Sequence, residues 1–200
     1  VCSSDLINVP LDMMKDKPQE CTKYYSDQVC DAISKLSQRL DWNVIDKVLQ
    51  AIHDSDSVAF FGTQFSHSAA LHFQTDLLML EKFTMAYMET ERQIDCARLM
   101  DENSVAIIVT VNGFYARSNS KVLQYLKKSK CKVVLMTNNP GIDIGINVNY
   151  TIVLGDSEQR KIGKHTLLTA VELMSLRYYS LYYPGIQEKI INQYFQSLFS

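Results

Sequence analysis

Two short apolar runs each end in a polar turn bearing hydroxyls and amides, and each turn opens a helix. Val58-Ala59-Phe60-Phe61 leads into Gly62-Thr63-Gln64-Phe65-Ser66, and Val105-Ala106-Ile107-Ile108-Val109 leads into Thr110-Val111-Asn112-Gly113-Phe114-Tyr115. A helix N-terminus presents unpaired backbone N–H groups and the positive end of its dipole, so a turn that feeds one is suited to holding a phosphate or another anion. In an open parallel sheet, two such turns bound one crevice when their strands are neighbours and the crossovers leave in opposite directions. Gly62, Thr63, Gln64, Ser66, Thr110, Asn112, Gly113 and Tyr115 are therefore the candidate ligand-contacting residues. Each has a plainer reading as well. Either glycine serves any tight strand-to-helix turn, Ser66 suits an N-cap, and Asn112-Gly113 is a common turn dipeptide.

His67 and His165 carry the side chain poised for proton transfer near neutral pH. Both fall near helix starts, where surface histidines are common, and Glu158 and Glu172 have no acid partner at a recognisable spacing. No catalytic residue is assigned. The five cysteines, Cys2, Cys21, Cys30, Cys96 and Cys131, are odd in number and scattered. With no C-x-x-C and no histidine at ligand spacing, they predict neither a metal site nor a disulfide framework, and read as reduced thiols in a cytoplasm. No cofactor is implied. With 20 Lys plus Arg against 22 Asp plus Glu, the chain has no basic field for nucleic acid or an acidic membrane. The lysines of 127–132 suit a helix C-terminus. Those of 160–164 precede the helix after the fifth strand, and Lys161 or Lys164 is placed to reach a bound anion.

These residues need elements to hold them. At 200 residues the chain makes one domain with an extension. Residues 1–21 read as a polar arm, interrupted by Pro10 and Pro18. Tyr25, Val29, Ile33, Leu36 and Leu40 recur at helical spacing, as do Ile45, Val48, Leu49 and Ile52 after a break near Asp41. Strands are expected at 58–61, 84–88, 105–109, 132–136 and 150–154, and helices over 66–80, 94–100, 118–128, 166–183 and 186–199. Nothing is apolar for long enough to cross a bilayer. Continuous apolar strands alternating with helices predict a three-layer α/β/α sandwich whose five-stranded parallel sheet is covered on both faces, preceded by N-terminal helices. A flavodoxin-like strand order, 2-1-3-4-5, puts strands one and three side by side and both turns in one crevice.

From about Val44 to Pro184 the chain resembles the SIS (sugar isomerase) domain, and with its helical lead-in it looks like the effector-binding half of RpiR-type transcriptional regulators. That family holds the phosphate of a phosphosugar in a G-x-G-x-S turn after strand one and an S-x-S-G-x-T turn after strand three. Here Gly62 and Ser66 match the first turn, with Gln64 in place of the second glycine. Thr110, Asn112, Gly113 and Tyr115 stand where Ser, Ser, Gly and Thr would be. Arg117 occupies a commonly acidic position, and Thr137-Asn138 matches the usual ending of strand four. Arg117 adds a guanidinium that can hold phosphate bidentately.

The resemblance implies a sugar-phosphate-sensing domain of a cytoplasmic bacterial regulator over 41–200, with 1–40 as linker and lead-in helix. DNA binding would belong to a helix-turn-helix domain outside this chain, whose first residue is Val1 and not Met. The alternative is an aldose-ketose phosphate isomerase of the same superfamily. Leu176, Tyr179 and Tyr183 with Ile190, Tyr194 and Leu198 at one end, and Val29, Ile33, Leu36 and Leu40 at the other, predict a homodimer or a tetramer of dimers.

Overall fold

A computed structural model describes residues 11–111, 113–155 and 163–183. The expected final helix over 186–199, along with Asn112, Glu158 and Lys161, lies outside them. Helix α1 (Leu11–Asp16) and helix α2 (Pro18–Arg39) replace the irregular arm expected up to residue 21. Pro18 starts α2 and does not break it, because the N–H that proline lacks has no helical partner in the first turn. Asp41 then caps α3 (Trp42–Asp54), its carboxylate accepting from the N–H groups of Asn43 at 2.9 Å and Val44 at 3.2 Å. Such a cap contributes about 1 kcal/mol.

The rest of the described chain alternates. β1 (Ser57–Phe61) is followed by α4 (Phe65–Met79), β2 (Met85–Ala86), α5 (Thr90–Leu99) and β3 (Ser104–Val109). α6 (Phe114–Ser118), α7 (Ser120–Ser129), β4 (Lys132–Thr137), β5 (Tyr150–Val153) and α8 (Gly163–Tyr182) complete it. The helix expected over 118–128 is α7, and the short α6 precedes it. Asn119 donates its amide N–H to the Tyr115 carbonyl at 3.0 Å, and this local bond competes with continuation of α6.

The sheet is parallel throughout, in the order β2-β1-β3-β4-β5. Side-chain alternation splits the core in two. Val58, Phe60, Val105, Ile107 and Val134 pack with α2, α3, α4 and α8, whereas Ala59, Phe61, Ala106, Ile108 and Val133 pack with α5, α6 and α7. This is the three-layer α/β/α sandwich read from the sequence. α4 carries the chain from β1 outward to β2, and α6–α7 carry it from β3 the opposite way to β4, so the crossovers diverge between β1 and β3.

One inference about the terminal helices changes. Leu36 and Leu40 of the stripe assigned to a subunit interface are buried in the chain's own core, as is Tyr178, while Tyr179 and Tyr183 pack against it. α2 lies on α8, with the Tyr25 hydroxyl 2.6 Å from His165 Nε2. Leu176 stays exposed. Among the described residues no helix is long and apolar enough to cross a membrane.

Candidate functional site at the carboxyl edge of the sheet

Register brings the two turns together. Phe61 is opposite Ile108, so Gly62 and Thr63 leave β1 beside Val109 and Thr110. On the other side of β3, the Thr110 N–H donates to the Met136 carbonyl at 3.0 Å and the Asn138 N–H to the Val111 carbonyl at 3.1 Å. The ends of β1, β3 and β4 thus form one continuous edge.

The β1–α4 turn is tight because Gly62 has no Cβ. One placed there would meet Ser66 Cβ at 3.2 Å and the Ser66 backbone carbon at 3.3 Å, so the glycine lets the first turn of α4 settle onto the strand. The N-cap of α4 is Gln64 and not Ser66, with φ 50° and ψ −122° and no side-chain cap bond. Ser66 is the second residue of the helix, and its hydroxyl is not spent on capping. Gln64 is exposed, and Thr63 and Ser66 are half-buried.

In the β3–α6 turn, Gly113 is the N-cap, at φ 74°. A Cβ on it would fall 1.9 Å from Ile142 Cδ1 and 3.6 Å from Arg117 Nη1, so the guanidinium of Arg117 lies beside this turn. The buried Thr110 hydroxyl accepts from the Tyr115 N–H at 3.3 Å. Tyr115 departs from its expected role. Its ring is buried in the core under the turn and its hydroxyl donates to Gln93 Oε1, so it does not offer that hydroxyl to the crevice. Burial pushes its ionisation well above the usual phenol range.

Gln93 is the residue that sequence reasoning missed. Buried on α5, it donates to the carbonyls of Gly62 at 2.9 Å and Tyr87 at 2.7 Å while accepting from Tyr115. One amide therefore ties the ends of β1 and β2 to the helix after β3. Its signal was a glutamine on the apolar stripe of α5, one helical turn from Ala97 and two from Met100.

Asn138, noted only as part of the strand-four ending, is fully buried. Among the described residues, neither its Oδ1 nor its Nδ2 has a hydrogen-bond partner. Gly163 opens α8 directly against it, since a Cβ there would meet Asn138 Nδ2 at 3.0 Å and Val111 Cγ1 at 2.9 Å. Lys164, half-buried, is the next residue of that helix.

Of the groups weighed for catalysis, His165 and Glu172 are engaged by other side chains and His67 is buried. His67 is buried in the first turn of α4, and burial lowers its pKa against the opposing pull of Glu89. His165 is held on Tyr25, with its pKa lowered by burial and by Lys164. Glu172 pairs with His72 across the α4–α8 contact at 2.7 Å. The amino edge of the sheet, by contrast, has a cavity of about 130 Å³ whose lining includes Asp54, Asp56 and Glu102 beside Lys132. The acidic lining of that cavity disfavours an anion at the amino edge. Among the described residues no cluster of His, Cys, Asp and Glu could hold a metal ion, and Cys21, Cys30, Cys96 and Cys131 are free thiols.

No family model matches the sequence, and no curated protein is similar to it. Solved structures are. The NanR protein of Vibrio vulnificus, complexed with ManNAc-6P, superposes with a TM-score of 0.73 at 13% identity, over 92% of this chain and 71% of that one. The sugar isomerase domain of an RpiR transcription factor from Sphaerobacter thermophilus gives 0.67 at 14%, over 80% and 89%. Phosphoheptose isomerase GmhA from Neisseria gonorrhoeae gives 0.67 at 14%, over 82% and 100%. The fold is that of a SIS domain, and it is shared by regulators and isomerases alike.

Proposed function

We propose that the carboxyl edge of this SIS-type sheet binds a phosphorylated sugar or sugar acid, and that the chain is the effector-sensing part of a transcriptional regulator. The observation that carries this reading is the adjacency of the two glycine turns on β1 and β3, with the N-terminus of the 15-residue α4 and the guanidinium of Arg117 beside them. Backbone N–H groups, a helix dipole and a guanidinium converging from neighbouring strands favour a dianionic phosphate. Gly62, Thr63, Gln64, Ser66, Thr110, Asn112, Gly113, Arg117 and Lys164 are its proposed contacts. Tyr115 supports them from beneath. NanR is a neighbour complexed with a sugar phosphate, which agrees with this assignment.

A sensor is favoured over an enzyme because Glu172 and His165, two of the groups weighed for proton transfer, are paired with His72 and Tyr25. In this reading DNA contact belongs to a separate helix-turn-helix domain, and the protein works as a dimer. The second reading, an aldose-ketose phosphate isomerase, is kept by the likeness to phosphoheptose isomerase.

Thermal shift against a panel of sugar phosphates tests the site. A ligand at 100 times its Kd adds about 2.7 kcal/mol to the folded state, and Ser66→Ala should reduce that response. A panel that leaves the melting temperature unchanged removes the effector site. Solvent-deuterium exchange into an aldose or ketose phosphate would decide for the isomerase. Light scattering that returns the mass of one chain at micromolar concentration would remove the dimer.

A further inference from the structure

A buried carboxamide with neither end paired is rare, because each orphaned group forfeits the hydrogen bond it had in water. Asn138 is such a group. It is fully buried at the end of β4, where its backbone N–H is already spent on Val111. It faces Gly163, the first described residue of the 20-residue α8. Gly163 is the feature that allows this approach, since any side chain there would strike both Asn138 and Val111.

We propose that Asn138, together with the first turn of α8, is the specificity element of the crevice and reads the hydroxyl-bearing part of the sugar. This deepens the function proposed above and rests on it. The chemistry excludes the phosphate as the amide's partner. A phosphate dianion only accepts hydrogen bonds, so it would satisfy Nδ2 and leave Oδ1 orphaned. A sugar hydroxyl both donates and accepts, and two neighbouring hydroxyls complete the amide on both sides. The phosphate goes to the β1 and β3 turns, and the polyol extends along the strand ends toward β4. Reaching Asn138 requires the first turn of α8 to shift outward. The unpaired amide lowers the cost of that shift, because any opening that admits a hydroxyl or water restores its hydrogen bonds.

The test compares Asn138→Leu, close in shape but without polar atoms, with the parent chain. The measurements are urea unfolding, and titration calorimetry with inorganic phosphate and with a set of hexose 6-phosphates. The expected result is a variant at least as stable as the parent that binds inorganic phosphate equally well but the preferred hexose phosphate about tenfold more weakly or worse. That combination separates the proposal from a structural role, which would lower stability. Asn138→Ala repeats the binding comparison without added bulk. A clear loss of stability in Asn138→Leu would show that the amide has a structural partner, and would overturn the proposal. So would unchanged discrimination between hexose phosphate and inorganic phosphate. A parent chain that binds neither probe would instead take down the effector site as a whole.

Discussion

At the β1–α4 turn, the glycine and the positive φ fall on different residues, whereas at the β3–α6 turn they coincide. Gly62 permits a close approach of the helix, while the positive φ lies two residues on, at Gln64. Gly113 does both jobs, taking φ 74° itself and leaving room for Ile142. A non-glycine residue at φ 50° and ψ −122° costs roughly 1–3 kcal/mol. The first turn thus stores strain beside an exposed amide, and the second is relaxed and locked from below by Tyr115 and Gln93.

The largest expected effect breaks the link between them. Gln93→Leu leaves the Gly62 and Tyr87 carbonyls and the Tyr115 hydroxyl without their partner, so it should destabilise by about 3 kcal/mol or more in urea titration. Tyr115→Phe, which orphans one acceptor, should cost about 1–2 kcal/mol. A Gln93→Leu variant that unfolds like the parent would mean that the two turns are independent.

Gly113→Ala comes next, at about 2–3 kcal/mol from left-handed backbone strain plus overpacking against Ile142. Ile142→Ala in the same background separates the two causes. Recovery of only the steric part leaves the backbone part on Gly113, and complete recovery would show that the positive φ costs nothing there.

Gln64→Gly should act in the opposite direction, raising stability by about 1 kcal/mol once the greater freedom of glycine in the unfolded chain is subtracted. A lower melting temperature would mean that the Gln64 side chain makes up for its backbone.

The smallest effect is a pH dependence at the first turn. The folded pKa of His67 lies below its ordinary value of 6.5, chiefly through burial. Folding therefore favours the neutral ring, and the unfolded chain binds more protons between the folded pKa and 6.5. The resulting stability is complete above about pH 6.5 and is lost as the pH falls through that window. His165 acts with the same sign. Urea midpoints followed downward from pH 7.5 should decline, and His67→Gln should flatten part of the slope. An unchanged slope would assign the whole effect elsewhere.

Much of the architecture was legible because periodicity is local. The continuous apolar run at 105–109 could only be a strand covered on both faces, and Gly62 and Gly113 marked the turns that follow β1 and β3. The errors were local as well. Pro18 falls in the stretch that reads as an irregular arm yet opens α2, and Ser66 suits an N-cap by type although the chain reverses at Gln64, a residue that carries no signal for positive φ.

The sequence by itself determined the alternation of strands and helices, the two polar turns and the balance of charge, since each depends on residues close together in the chain. Only the tertiary structure decided which groups are spent and which are left over. The Tyr115 hydroxyl is consumed by Gln93 from another helix, and Leu36 and Leu40 of the N-terminal stripe are taken up by the chain's own core. Asn138 is left with nothing, because its environment is made by Gly163 and Val111, 25 residues after it and 27 before it in the chain. Whether a polar atom is satisfied depends on every neighbour within about 3 Å, and no pattern along the chain encodes that.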